Sequence, residues 1–194
     1  MKEKILMVVF VIVVGSVLTA GLIVVSAVTN PVIEANNLKV MKMSVLAVLD
    51  IPYGESDLDT VFSDNVRAET KDGRTVYISK SGDVAFTVAG SGLWGPVEGV
   101  MGLKSDLTTV KKIFIVHQEE TPGLGSRIGD DDFLSRFDDK SAVPSLEIVA
   151  AGKAATNNQI DGITGATLSG KALEAILNNE IKKYRPLLAE VSGK

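Results

Sequence analysis

The 24 residues from Ile5 to Val28, ILMVVFVIVVGSVLTAGLIVVSAV, carry no charge. As a helix rising about 1.5 Å per residue they reach roughly 36 Å, enough to cross a tilted bilayer. Ser26-Ala27-Val28 offers small residues for signal cleavage, but the apolar run is longer than the roughly 7–15 residues of a secretory signal. The segment therefore reads as a retained, single-pass anchor. Lys2 and Lys4 precede it, which places the N-terminus in the cytoplasm and the rest of the chain outside the cell membrane of a prokaryote.

Beyond the anchor the chain is long enough to bury one sizeable core. Its 194 residues include no cysteine and a single histidine, His117. Disulfide scaffolds, thiol nucleophiles and cysteine- or multi-histidine-ligated metal centres are thereby excluded, and no metal is expected. A formal charge of −4 argues against a nucleic-acid partner held through its phosphates.

Asn30-Pro31 carries the pattern of a helix start. Val32, Ala35, Leu38, Met41, Val45 and Val48 then recur at helical spacing. The expected organisation is a cytoplasmic tip and transmembrane helix over 1–29, a juxtamembrane helix over 30–50, and an extracytoplasmic domain over 51–194. Thr75 to Lys80 and Val84 to Gly90, joined by Ser81-Gly82-Asp83, predict a hairpin. Further strands are expected over Val110–His117 and Leu146–Ala150, a short helix over Asp132–Phe137, and a final helix from about Leu168 to Tyr184. Clustered strands followed by a helix predict an α+β domain, with a mainly antiparallel sheet and flanking helices.

Three segments have the composition of a binding site. Asp161-Gly162-Ile163-Thr164-Gly165-Ala166-Thr167-Leu168-Ser169-Gly170 runs straight into a helical stretch. Unpaired N–H groups and the positive end of the helix dipole would stabilise a phosphate there; the plainer alternative is that Thr167 or Ser169 simply caps the helix. His117 to Arg127, with Glu120-Thr121-Pro122-Gly123-Leu124-Gly125 within it, comes directly after a strand; its glycines permit close approach of a ligand to the backbone, and the plainer alternative is a connecting loop. Gly90 to Gly99 holds the only tryptophan, Trp94, which either stacks on a planar ligand or plugs the core. His117 reads as the end of a strand. The acidic run Asp130 to Asp139 lacks the spacing of a calcium loop and reads as a solvated loop with Asp132 capping the next helix.

Together, Asp161 to Thr167, Glu120 to Gly125 and Gly92 to Pro96 resemble the signatures of the FMN-binding domain family. That family includes the G subunit of the Rnf ion-translocating ferredoxin:NAD oxidoreductase and the C subunit of the sodium-translocating NADH:quinone oxidoreductase. The compact length is more similar to the Rnf protein. The resemblance implies covalent FMN, linked by a phosphoester to Thr167 and attached by a separate flavin transferase. The transferase would recognise Asp161, Thr164, Gly165, Ala166 and Thr167. The cofactor-binding residues implied are Thr167, Thr164, Gly165, Ala166, Leu168, Glu120, Thr121, Pro122, Gly123, Leu124, Gly125 and Trp94, with no catalytic group beyond the flavin. The implied function is electron transport within an ion-pumping translocase, in lipid, beside the other membrane subunits of an Rnf-type complex. A non-redox, membrane-anchored binding or regulatory module is the competing expectation.

Overall fold

The chain is described by a computed structural model covering residues 2–54 and 56–191. Met1 of the expected cytoplasmic tip, and Glu55 and residues 192–194 of the expected domain, lie outside the described residues. Two units are distinguished, one ending at Val40 and the other starting at Met41.

The described residues of the first unit are all helical. Helix α1 (Lys2–Val48) provides them and continues into the second unit. Among the described residues it is the one helix long and apolar enough to cross a membrane. The expected helix start at Asn30 is not found, because α1 runs unbroken through Pro31. An interior proline removes one N–H and crowds one carbonyl, and the helical runs on both sides carry the backbone across that single defect. In the turn before it, the Thr29 hydroxyl donates to the Val25 carbonyl at 2.8 Å.

The second unit is built on an antiparallel meander in chain order: β1 (Val66–Lys71), β2 (Arg74–Ser79), β3 (Val84–Ser91), β4 (Pro96–Leu103) and β5 (Val110–Gln118). This matches the expected α+β class with a mainly antiparallel sheet. Alternation along the strands divides the apolar residues between two faces. On one face Tyr77, Ala85 and Val100 pack with Val45, Leu46 and Val48 of the last turns of α1 and with Leu58 of α2 (Leu58–Asn65). On the other, Phe86, Val88, Met101 and Ile113 receive the long helix α4 (Thr167–Val191). Leu173, Leu177, Ile181, Tyr184 and Leu188 recur every three or four residues along α4 and are all buried. Each fully buried leucine or isoleucine of this stripe contributes about 1.5–3 kcal/mol. Tyr184 stacks on Phe86 with ring centroids 4.5 Å apart, fixing α4 over β3.

The expected hairpin is β2 and β3, turning at Gly82. The expected short helix is α3 (Asp131–Leu134) extended by a 3-10 turn over Ser135–Phe137. Its N-cap position is held by Asp130, and no side chain caps it, so the capping role expected of Asp132 is corrected: Asp132 lies in the first turn and its side chain is exposed. Two short parallel strands, β6 (Glu147–Val149) and β7 (Gln159–Asp161), complete the unit. They are pinned by α4. The Asn178 side chain exchanges hydrogen bonds with both main-chain groups of Leu146, at 2.9 and 2.8 Å. Glu174 accepts from the Ile148 N–H. The helix that begins at Thr167 thus holds the strand pair that delivers the chain to it.

Candidate functional site

Strand register brings the first two glycine-rich segments together. Val97 of β4 stands opposite Gln118 of β5, so the β3–β4 turn carrying Leu93 and Trp94 lies beside the segment that leaves β5 at Glu120. The third segment arrives through β7. Its Ile163 carbonyl accepts the Ala166 N–H at 3.1 Å, closing a turn in which Gly165 has φ +86, a conformation that L side chains adopt only at a cost. α4 starts immediately after.

The three segments wall one cleft of about 410 Å³, lined by Leu93, Trp94, Thr121, Leu124 and Gly125 on one side and by Gly165 to Ser169 on the other. Trp94 is 73% exposed and Leu168 is 66% exposed. Trp94 therefore does not plug the core, and together with Leu93 and Leu124 it offers an apolar wall to a planar group. A second cleft of about 560 Å³ lies against β6 and the 162–167 turn, reaching Lys171. Thr164 lines only this second cleft, whereas Thr167 lines both.

The helix start is open. The Ala166 carbonyl accepts the Gly170 N–H at 2.9 Å, beginning the helical pattern. No acceptor among the described residues takes the N–H groups of Thr167, Leu168 or Ser169, and the exposed Thr167 hydroxyl has no partner among them. Neither Thr167 nor Ser169 caps the helix, since the Ser169 hydroxyl turns away to donate to Glu120 Oε2 at 2.6 Å. One turn on from Thr167, Lys171 holds a cation 2.8 Å from Glu174. An unengaged hydroxyl among free donors and beside a cation suits a phosphate ester, so these residues fit the FMN that the sequence implies.

Several expected ligands take other places. Glu120 is buried at 4% exposure and accepts the N–H groups of Leu93 at 2.6 Å and Trp94 at 3.2 Å. It lies behind the cleft wall and not on its surface. Pro122 and Gly123 do not line the cleft. Gly123 faces open space and is needed for its φ of +74, whereas close approach belongs to Gly125, where an added Cβ would lie 2.6 Å from Ser169 Oγ and 2.7 Å from Glu120 Oε2. Asp161 Oδ1 accepts the N–H groups of Lys153 at 2.8 Å and Ala154 at 3.0 Å. The Ala154 N–H, with that of Lys153, holds its carboxyl below the usual carboxylate range. His117 is exposed, 3.3 Å from Glu119. Among the described residues no group of acidic or histidine side chains is arranged to hold a metal.

Sequence reasoning missed Arg136. Its Nη1 donates to the main-chain oxygens of Asp161 and Gly162 at 3.0 and 3.3 Å, clamping the entry to the turn. Lys171 was legible in principle, since it stands four residues after Thr167 on the same helix face.

Residues 92–182 match the sequence profile of the FMN-binding domain. The C subunit of the Na(+)-translocating NADH-quinone reductase of Vibrio parahaemolyticus is 30% identical over 128 residues, 60% of this chain and 49% of that protein. The G subunit of the Na(+)-translocating ferredoxin:NAD(+) oxidoreductase complex of Acetobacterium woodii is 34% identical over 117 residues, 58% of this chain and 56% of the relative. The chain spans about half the length of these curated relatives. The crystal structure of the Na(+)-translocating NADH-quinone reductase C subunit from Parabacteroides distasonis superposes with a TM-score of 0.70 over 80% of this chain and 95% of the other, at 23% identity; the two share a fold. Between residues 92 and 182, then, the chain is similar to the FMN-binding domain family.

Proposed function

We propose that this chain is an electron-relay subunit of a membrane ion-translocating ferredoxin:NAD oxidoreductase complex of the Rnf type, with FMN held by a phosphoester on Thr167. The observation that carries this reading is the convergence of the Trp94 turn, the Thr121–Gly125 loop and the open start of α4 on one cleft, with the unengaged Thr167 hydroxyl at its rim.

When bound, FMN supplies the redox chemistry. The chain's own residues tether, orient and shield it. Thr167 provides the covalent tether, the N–H groups of Leu168 and Ser169 face the phosphate, and Lys171 supplies positive charge one turn on. Trp94, Leu93, Leu124 and Leu168 exclude water from the cleft. Among the described residues no side chain is hydrogen-bonded to the Thr167 hydroxyl as a base, so attachment requires a flavin transferase that reads Asp161, Thr164, Gly165 and Ala166. In that step the Thr167 oxygen bonds to the FMN phosphorus of FAD, the pyrophosphate bond breaks, AMP leaves and the hydroxyl proton passes to the transferase. α1 anchors the chain in lipid with its N-terminus cytoplasmic and the flavin domain outside, beside the other membrane subunits of the complex.

The test is in-gel flavin fluorescence of the denatured full chain, produced together with its cognate transferase. A fluorescent band is expected. Flavin that washes out on denaturation, or none at all, would favour a non-covalent, non-redox binding or regulatory module on the same anchor.

A further inference from the structure

Glu120 is an odd residue to bury. Taking a carboxylate out of water is costly unless donors compensate it, and among the described residues no lysine, arginine or histidine pairs with it. Its neighbour Glu119 is exposed and meets His117, so the burial is specific to position 120. All the compensation is neutral: the Leu93 N–H at 2.6 Å and the Trp94 N–H at 3.2 Å on Oε1, and the Ser169 hydroxyl at 2.6 Å on Oε2. These donors come from two segments remote in sequence, and Glu120 belongs to the third. The carboxylate lies close behind the cleft, since Leu93, Trp94 and Ser169, which hydrogen-bond it, all line the cleft, and a Cβ on the cleft-lining Gly125 would lie 2.7 Å from Oε2.

Resting on the reading of Thr167 as the flavin tether, we infer that Glu120 is a positioning residue: its buried carboxylate locks the Trp94 turn to the start of α4, and its charge behind the cleft wall holds the flavin's reduction potential down. The lock sets how the apolar wall of Trp94 stands relative to Thr167. A fixed negative charge in a poorly screened place disfavours added electron density nearby.

Lock and charge separate experimentally. In Glu120→Gln the amide oxygen still accepts from Leu93 and Trp94 while the amide nitrogen donates to Ser169 Oγ, so the lock is retained and the charge is lost. Glu120→Ala loses both, and Ser169→Ala opens one arm. The full chain is produced with its transferase and measured by in-gel flavin fluorescence and by redox titration. Its flavin-free form is measured by emission of the only tryptophan, Trp94, and by thermal melting.

Glu120→Gln is expected to keep its covalent flavin and its Trp94 emission while its midpoint potential moves upward. Glu120→Ala is expected to shift Trp94 emission and, still folded, to carry about fivefold less covalent flavin, because the Leu93 and Trp94 N–H groups lose their acceptor. Ser169→Ala should fall between the two. Glu120→Gln with an unmoved potential, or a folded Glu120→Ala with wild-type flavin content and Trp94 emission, would overturn this inference alone. A wild-type chain without covalent flavin would overturn the reading of Thr167, and this inference with it.

Discussion

Arg136 reaches across 25 positions to donate from Nη1 to the main-chain oxygen of Asp161 at 3.0 Å, with its guanidinium over the Phe133 ring. That carbonyl ends β7 and begins the turn leading to Thr167. Arg136→Ala leaves the Asp161 and Gly162 carbonyls without this donor, a loss of about 1–3 kcal/mol. The melting temperature is expected to fall by a few degrees and the fraction of flavin-bearing chain to fall with it; calorimetry and flavin absorbance check the two.

Gly123 and Gly165 test backbone conformation against site geometry. Both have positive φ, +74 and +86. Alanine at either costs about 1 kcal/mol in stability. Only Gly165→Ala should lower flavin attachment, because Gly165 aims Thr167 whereas Gly123 faces open space away from the cleft. Equal flavin content in the two variants would show that the turn before α4 does not orient the tether.

Acid should weaken the domain through Asp106 and Asp83. Burial alone would raise the Asp106 carboxyl, but the Thr109 hydroxyl and the N–H groups of Thr108 and Thr109 outweigh it and bring it from 3.8 down to about 2. For Asp83, burial is likewise outweighed, by Lys111, Ser81 and the Ser105 N–H, and the carboxyl is lowered. A carboxyl lowered on folding stabilises above its unfolded value and loses that contribution as pH falls through its folded one. Denaturant unfolding should therefore show stability declining from about pH 4 towards about pH 2. Asp106→Asn is expected to be less stable at neutral pH and to decline less steeply over that window.

Topology has its own test. The turn at Asp72-Gly73 between Lys71 and Arg74 is exposed, so trypsin added to cells stripped of their wall should cut there if the domain lies outside. Protection in intact cells, with cleavage only after lysis, would place it in the cytoplasm.

Local pattern made much of this legible. The charge-free run to Val28, the turn at Gly82 between two alternating strands, and the hydroxyl- and glycine-rich entry to α4 each announce themselves over a few residues. β4 was hidden because Gly99 and Gly102 interrupt the alternation of its side chains. The continuity of α1 was hidden because Pro31 after Asn30 mimics a helix start. Least legible was the connection between segments: Glu120 and Ser169 lie 49 positions apart, and Glu120 was expected among the ligands because nothing in its neighbours shows that sheet register buries it. Arg136 acts on main-chain oxygens, which leave no mark on residue type.

Peptide mass spectrometry of the chain made with its transferase decides the central claim, because Thr164 and Thr167 sit in one turn and only Thr167 lines the cleft with Trp94. The added FMN mass is expected on Thr167. Thr167→Ala should carry none while remaining folded, since the Thr167 hydroxyl makes no hydrogen bond among the described residues, and Thr164→Ala should be modified less efficiently at the same site. FMN on Thr164, or on neither threonine, would contradict the account.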